Sequence, residues 1–117
     1  MSTLFVIAPA YTHTLERHPE SAERMTAIEG ILERSGLRAD LTLIKPTLAE
    51  INQITRVHNR LLVEEVKQIS MSGGGRIDAD TYATADSYEL ARLAAGSVAN
   101  AVDHLLLGTA RNGFALV

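Results

Sequence analysis

Apolar residues come along this chain in two kinds of run. Leu4-Phe5-Val6-Ile7-Ala8 is unbroken, without alternation, and stops at Pro9. Such a run suits a strand covered on both faces, as in a parallel sheet. After a polar loop over residues 10–19 the period changes. Met25, Ile28 and Leu32 fall on one stripe with Ile31 beside it, while Glu23, Glu29 and Glu33 turn away, which predicts a helix over residues 20–35. Pro19 suits its first position and Gly36 a left-handed exit. Leu41-Thr42-Leu43-Ile44 reads as a second short strand closed by Pro46. Thr47 and Glu50 stand at capping-box spacing ahead of a short helix that runs to about residue 54. A further helix from about residue 59 carries Leu62, Val66 and Ile69 on one face and runs out into Ser72-Gly73-Gly74-Gly75. Residues 76–85 read as a loop. Asp86, with Glu89 at the third position after it, is expected to cap the longest helix, which reaches about residue 107. Its expected buried stripe is Leu90, Ala94, Val98, Ala101 and Leu105, with Ala91, Ala95, Gly96 and Ala99 small enough for close approach by a neighbour. Gly108 ends it, and residues 113–117 form a third strand.

The order strand, helix, strand, two helices, helix, strand predicts an α/β fold, three-layered around a largely parallel sheet. Residues 1–117 make one unit with no repeat and no linker. Three short strands are a poor core, with unpaired edges and a half-dressed face. The expectation is therefore the first part of a larger domain.

Composition narrows the function classes. A net charge of −3 leaves no basic footprint for nucleic acid. Cysteine is absent, so there is neither a disulfide framework nor a thiolate metal site. The longest apolar runs are far too short to span a bilayer, and Met1-Ser2-Thr3 lacks the basic start of a secretory signal. The chain reads as cytoplasmic, without nucleic acid or membrane as a partner.

Several residues invite chemical readings. His13 and His18 share one loop with Glu16 and Glu20, but their spacing is not a usual ligand spacing, so a loop held by hydrogen bonds is the better reading. His58 and His104 read as capping or packing residues. Gly73-Gly74-Gly75 follows a helix rather than a strand, which suits a helix exit and flexible joint better than a phosphate cradle. Asp78-Ala79-Asp80-Thr81 starts like a calcium loop, but Tyr82 stands where a third ligand belongs. An Asx turn, or two carboxylates gripping an amide donor of a ligand, are the remaining readings. Arg24 is placed on the buried side of its helix, where it needs acceptors, with pairing to Glu20 or Glu23 as the plainer option.

Taken together these segments resemble one family. His18-Pro19-Glu20-Ser21-Ala22-Glu23-Arg24 resembles the H-P-E-x-x-x-R segment near the start of histone deacetylase-like proteins. Gly73-Gly74-Gly75, Asp78-Ala79-Asp80-Thr81-Tyr82 and Ser87-Tyr88-Glu89 resemble the loop and helix start of its class II and bacterial branch. Ala94-Ala95-Gly96 fits the same helix, and Asn112-Gly113-Phe114-Ala115-Leu116-Val117 resembles the strand leading into the family's Arg-Pro-Pro-Gly-His-His motif. The resemblance implies the arginase–deacetylase fold and a zinc amidohydrolase that splits N-acetyl-lysine or a small acetylated amine into acetate and free amine. It implies one His and two Asp on the metal, a His pair for the protons and a Tyr at the oxyanion. None of these catalytic or metal-binding groups falls within this chain, which is expected to be inactive alone. The resemblance assigns Asp80, with Asp78 as alternative, to substrate amide hydrogens at the pocket rim. It assigns Arg24 to the internal product channel. The alternative is a non-catalytic truncated fragment or paralogue that only binds a partner, its apolar face covered by a second chain as in a homo-oligomer.

Overall fold

The computed structural model describes residues 2–117. Three parallel strands make the main sheet in the order β2-β1-β5: β1 is Thr3–Ile7, β2 is Leu41–Leu43 and β5 is Asn112–Leu116. β1 is central, with Leu4, Phe5 and Val6 buried, as is Ala8 just beyond its end. Its unbroken apolar run is thus accounted for, because both faces are covered. The register pairs Phe5 with Phe114 and Ile7 with Leu116, so these four side chains share one face. On that face lies α1, Glu23–Arg34, which lays Met25 against Phe5 and Leu116, with Ile28 and Leu32 packed alongside. The opposite face, with Leu4 and Val6, meets the long helix α4, Ser87–Leu106. Helix, sheet and helix are the three layers expected of this α/β chain.

The other elements follow in chain order. A 3-10 turn over Leu37–Asp40 leads into β2. Two helices follow, α2 over Ile51–Thr55 and α3 over Arg60–Met71. Then come β3, Gly74–Arg76, and β4, Tyr82–Thr84, paired antiparallel with Arg76 opposite Tyr82. Residues 76–85 are therefore not a plain loop, and the glycines are not a flexible joint. Gly74 has φ of 102°, and a Cβ there would press on the Ala83 carbonyl, so glycine is what lets the hairpin close.

Other local expectations change for physical reasons. α1 begins at Glu23 rather than residue 20, because the chain from Pro19 is held in the loop by contacts described below. The capping box is made by Glu50 and Gln53; the Thr47 hydroxyl instead donates to the Gly96 carbonyl at 3.1 Å. Asp86 caps nothing with its side chain, since its backbone is already helical. Instead the Tyr88 amide of the first turn donates to Ser70 Oγ at 3.1 Å, while the Ser87 hydroxyl accepts the Thr84 amide ahead of the helix at 2.6 Å. Val98 is exposed, and the buried residues of α4 are Ser87, Gly96, Ser97 and Ala101. The reason is the crossing of residues 47–49 over the helix. The Ala49 amide donates to the Arg92 carbonyl, Arg92 returns two bonds to the Ala49 carbonyl, and the Thr47 amide reaches Ser97 Oγ. A Cβ on Gly96 would collide with the backbone of this segment.

The whole is flat. Its extents are 43 × 33 × 18 Å and its radius of gyration is 15.6 Å, against about 13 Å for a compact domain of this length. Leu43 and Phe114, flanking Phe5 on the α1 face, remain 57% and 46% exposed. A third layer that covers only part of the sheet leaves them so.

Candidate functional site

Asp78 and Asp80 sit in the connection between β3 and β4. The Ile77 and Asp78 amides both reach the Thr81 carbonyl, at 2.8 and 3.3 Å, which draws the connection tight. Within it Asp78 Oδ1 accepts the Asp80 amide at 2.9 Å, an Asx turn. That bond, followed by one from the Thr81 hydroxyl, holds the Asp78 carboxyl below the usual aspartate range. Asp78 is thereby occupied with its own turn. The Asp80 side chain, by contrast, projects into solvent at 93% exposure.

The hairpin is fastened to the 10–21 loop by an aromatic and polar clamp. Tyr82 is the centre, buried at 6% exposure. His13 stacks on its ring with centroids 4.8 Å apart, and His18 meets it edge-on, also at 4.8 Å. The Tyr82 hydroxyl donates to the Glu20 carbonyl at 2.8 Å. Loss of solvent, then the nearby Glu20 charge, pushes its phenol above the ordinary tyrosine value. His13 Nδ1 lies 2.7 Å from Ser87 Oγ, linking the clamp to the start of α4. These contacts join residues more than 60 positions apart. The sequence reading of a loop held by hydrogen bonds is correct, but it missed that the partners lie across the hairpin. The signal available was Tyr82, an aromatic in an otherwise polar stretch.

Arg24 is exposed rather than semi-buried, and it pairs with neither Glu20 nor Glu23. Its Nη2 donates to the Val117 carbonyl at 2.8 Å. It lines a cavity of about 220 Å³ together with His13, Glu20, Ser87 and Val117. The cavity sits where the clamp, α4 and the end of β5 meet. A larger concavity of about 410 Å³ lies away from these residues, between α2, α3 and α4, with Val57, Leu62, Val66 and Ala95 among its walls. His58 is on its edge, and Asn59, not His58, caps α3 by accepting the Leu61 amide. His104 remains structural, beside the Thr109 hydroxyl.

Among the described residues the zinc that the resemblance implies finds no ligand set. Among the described residues no three of His, Asp and Glu converge. The His13 and His18 rings lie against Tyr82 with their nitrogens directed at Ser87, Glu20 and Asp80. Among the same residues no helix is long and apolar enough to cross a membrane.

This arrangement has close counterparts. The model of the histone deacetylase domain matches residues 18–117. The chain belongs to the histone deacetylase family. It is 37% identical over 99 residues to a histone deacetylase-like amidohydrolase of Pseudomonas aeruginosa, covering 85% of this chain and 26% of that protein. It is 35% identical over 104 residues to a probable deacetylase of Methanothermobacter thermautotrophicus, covering 88% and 31%. Among solved structures, the crystal structure of the HDA15 HD domain superposes on the whole chain with a TM-score of 0.93 at 29% identity, using 35% of that structure. The deacetylase-family chain thus spans about a quarter to a third of the length of these relatives. Its three-layer architecture is that of an incomplete arginase–deacetylase-like fold.

Proposed function

We propose that this chain is the N-terminal portion of a zinc-dependent deacetylase that hydrolyses N-acetyl-lysine or a small acetylated amine to acetate and free amine. Family membership supports the reaction class. The zinc ligands and proton-transfer groups lie outside residues 1–117 in this reading, and a bound zinc would supply Lewis acidity toward the acetyl carbonyl. The work of this chain is to bind and orient.

The observation that carries the reading is the contrast between the two loop carboxylates. Asp78 is spent on the Asp80 amide, whereas the Asp80 carboxylate stands at the rim, exposed and acceptor-only. In this reading it receives amide N–H groups flanking an acetylated side chain. Asp78 serves as the alternative acceptor, and as the support of the turn. Arg24, on the wall of the adjacent cavity, offers a planar fork of donors matched to a small carboxylate such as acetate, which is the product-channel role. A cytoplasmic location accords with a chain free of cysteine.

The test is Asp80→Ala in the complete domain. Substrate use falls about tenfold or more, as for a lost hydrogen bond to a charged group, while zinc content stays at the wild-type level. Parallel loss of zinc and activity would show the residue to be misplaced. The 117-residue chain alone should hold no stoichiometric zinc and release no acetate from an acetyl-lysine peptide.

A second reading, a non-catalytic binding module, draws on the exposed Leu43 and Phe114 beside the core. It predicts a homo-oligomer in size-exclusion chromatography and a complete protein without deacetylase activity.

A further inference from the structure

His18 stands between the two segments that make the rim. The turn before it is closed by the His18 amide, which donates to the Leu15 carbonyl at 3.1 Å. Inside that turn Arg17 has φ of 60°, a left-handed backbone that disfavours a residue with a Cβ by about 1–2 kcal/mol. The turn places the imidazole against the hairpin rather than over its own loop. There the two ring nitrogens divide the work. Nδ1 accepts the Glu20 amide at 3.1 Å, which leaves the proton of a neutral imidazole on Nε2. Nε2 lies 3.1 Å from the Asp80 carbonyl oxygen and 3.4 Å from Asp80 Oδ1. The ring is 12% exposed and edge-on to Tyr82, so it is not free to swing away. Among the described residues the Asp80 carboxylate accepts no side-chain hydrogen bond, and His18 Nε2 at 3.4 Å is the basic nitrogen beside it.

We propose that His18 is a positioning residue: its Nε2–H bonds the Asp80 carbonyl and lies 3.4 Å from the Asp80 carboxylate, and the attraction aims that carboxylate at the substrate's amide hydrogens. This rests on the reading of Asp80 as a substrate-binding residue. An aspartate at a hairpin tip otherwise samples several rotamers. Holding one of them beforehand removes an ordering cost from substrate binding. His18 itself touches neither substrate nor reacting atoms, so its contribution appears in KM and not in kcat.

The test is a double-mutant cycle in the complete, zinc-loaded domain with an N-acetyl-lysine peptide. His18→Ala raises KM about five- to tenfold, the size of one hydrogen bond, with kcat within about twofold. His18→Gln, whose amide N–H takes the place of Nε2–H, recovers most of the loss. In an Asp80→Ala background, His18→Ala adds nothing further to KM. If Asp80→Ala raises KM but His18→Ala does not, or the two effects multiply in full, the positioning role is wrong while the Asp80 reading survives. If Asp80→Ala leaves KM unchanged, the Asp80 reading itself fails. Should His18→Ala lose the fold, His18→Phe keeps a ring against Tyr82 without an N–H and reads the same way. On the 117-residue chain, nitrogen-15 shifts of the His18 ring report the tautomer directly. A proton on Nδ1 instead of Nε2 overturns the proposal without any activity measurement.

Discussion

The sheet and the hairpin rim are held by different physics. The β2-β1-β5 sheet is stabilised by burial: Phe5, Met25 and Leu116 are almost wholly removed from water, and the ring of Phe114 stacks on Phe5 at 5.7 Å. Such contacts are numerous and non-directional. The rim has one buried aromatic, Tyr82, and a short series of directional bonds that tie His13, His18, Glu20 and Ser87 together across the hairpin. A region held by bulk burial tolerates little loss of volume but is indifferent to the exact angle of any one group. A region held by single bonds fixes the angles of a few side chains with little buried area. Orienting a few side chains needs the second property, and a scaffold needs the first.

This contrast makes graded predictions. Phe5→Ala is expected to destabilise the chain by about 3–5 kcal/mol, read as a shift of the urea midpoint. A loss under about 1 kcal/mol would mean the sheet is not where the stability lies. Gly96→Ala should destabilise by about 1–3 kcal/mol through overpacking, because residues 47–49 lie directly on that position. Unchanged thermal unfolding would mean that crossing is loose. Tyr82→Phe keeps the ring between the two histidines but leaves the Glu20 carbonyl without its donor. It should remove about 1 kcal/mol and raise hydrogen exchange in residues 13–21 while leaving the sheet strands protected. Equal exchange everywhere would merge the two regions into one.

The smallest effect concerns pH. The folded Asp78 carboxyl is held below its unfolded value of 3.8. Its contribution is therefore fully present above that value and is lost as pH falls through the folded value. Wild type should lose stability below about pH 4 relative to Asp78→Asn, and both should behave alike at neutral pH apart from a constant offset. A difference that grows on the alkaline side would contradict the assignment. There Tyr82, whose phenol is raised, contributes stability below its unfolded value that is lost as pH rises through the folded one.

Legibility from sequence divides along the same line as the two regions. β1 was readable because a run apolar at every position records burial on both faces, and α1 because Met25, Ile28 and Leu32 repeat at helical spacing. The hairpin was missed because β3 is Gly74-Gly75-Arg76, a strand without β-forming side chains, paired over only three residues. The capping box was assigned to Thr47 because Thr47 and Glu50 have the right spacing. Spacing alone does not reveal that α4 offers the Thr47 hydroxyl a carbonyl. For the site, the residue types in the Asp78–Asp80 loop and at Arg24 were visible, and so was the family they resemble. That Asp78 Oδ1 is spent on the turn while the Asp80 carboxylate stays exposed was not.

What the sequence determined by itself is the order of elements, the two-faced burial of the central strand and the membership of a family. Periodicity and motif are local records, written by neighbours three, four or two positions away. What only the tertiary structure decided is which distant groups meet: His18 with Asp80, Tyr82 with the Glu20 carbonyl, Gly96 with the crossing segment. Those meetings depend on how the chain crosses itself in space. A hydrogen bond reaching about 3 Å leaves no periodic trace along a sequence when its partners stand 62 residues apart.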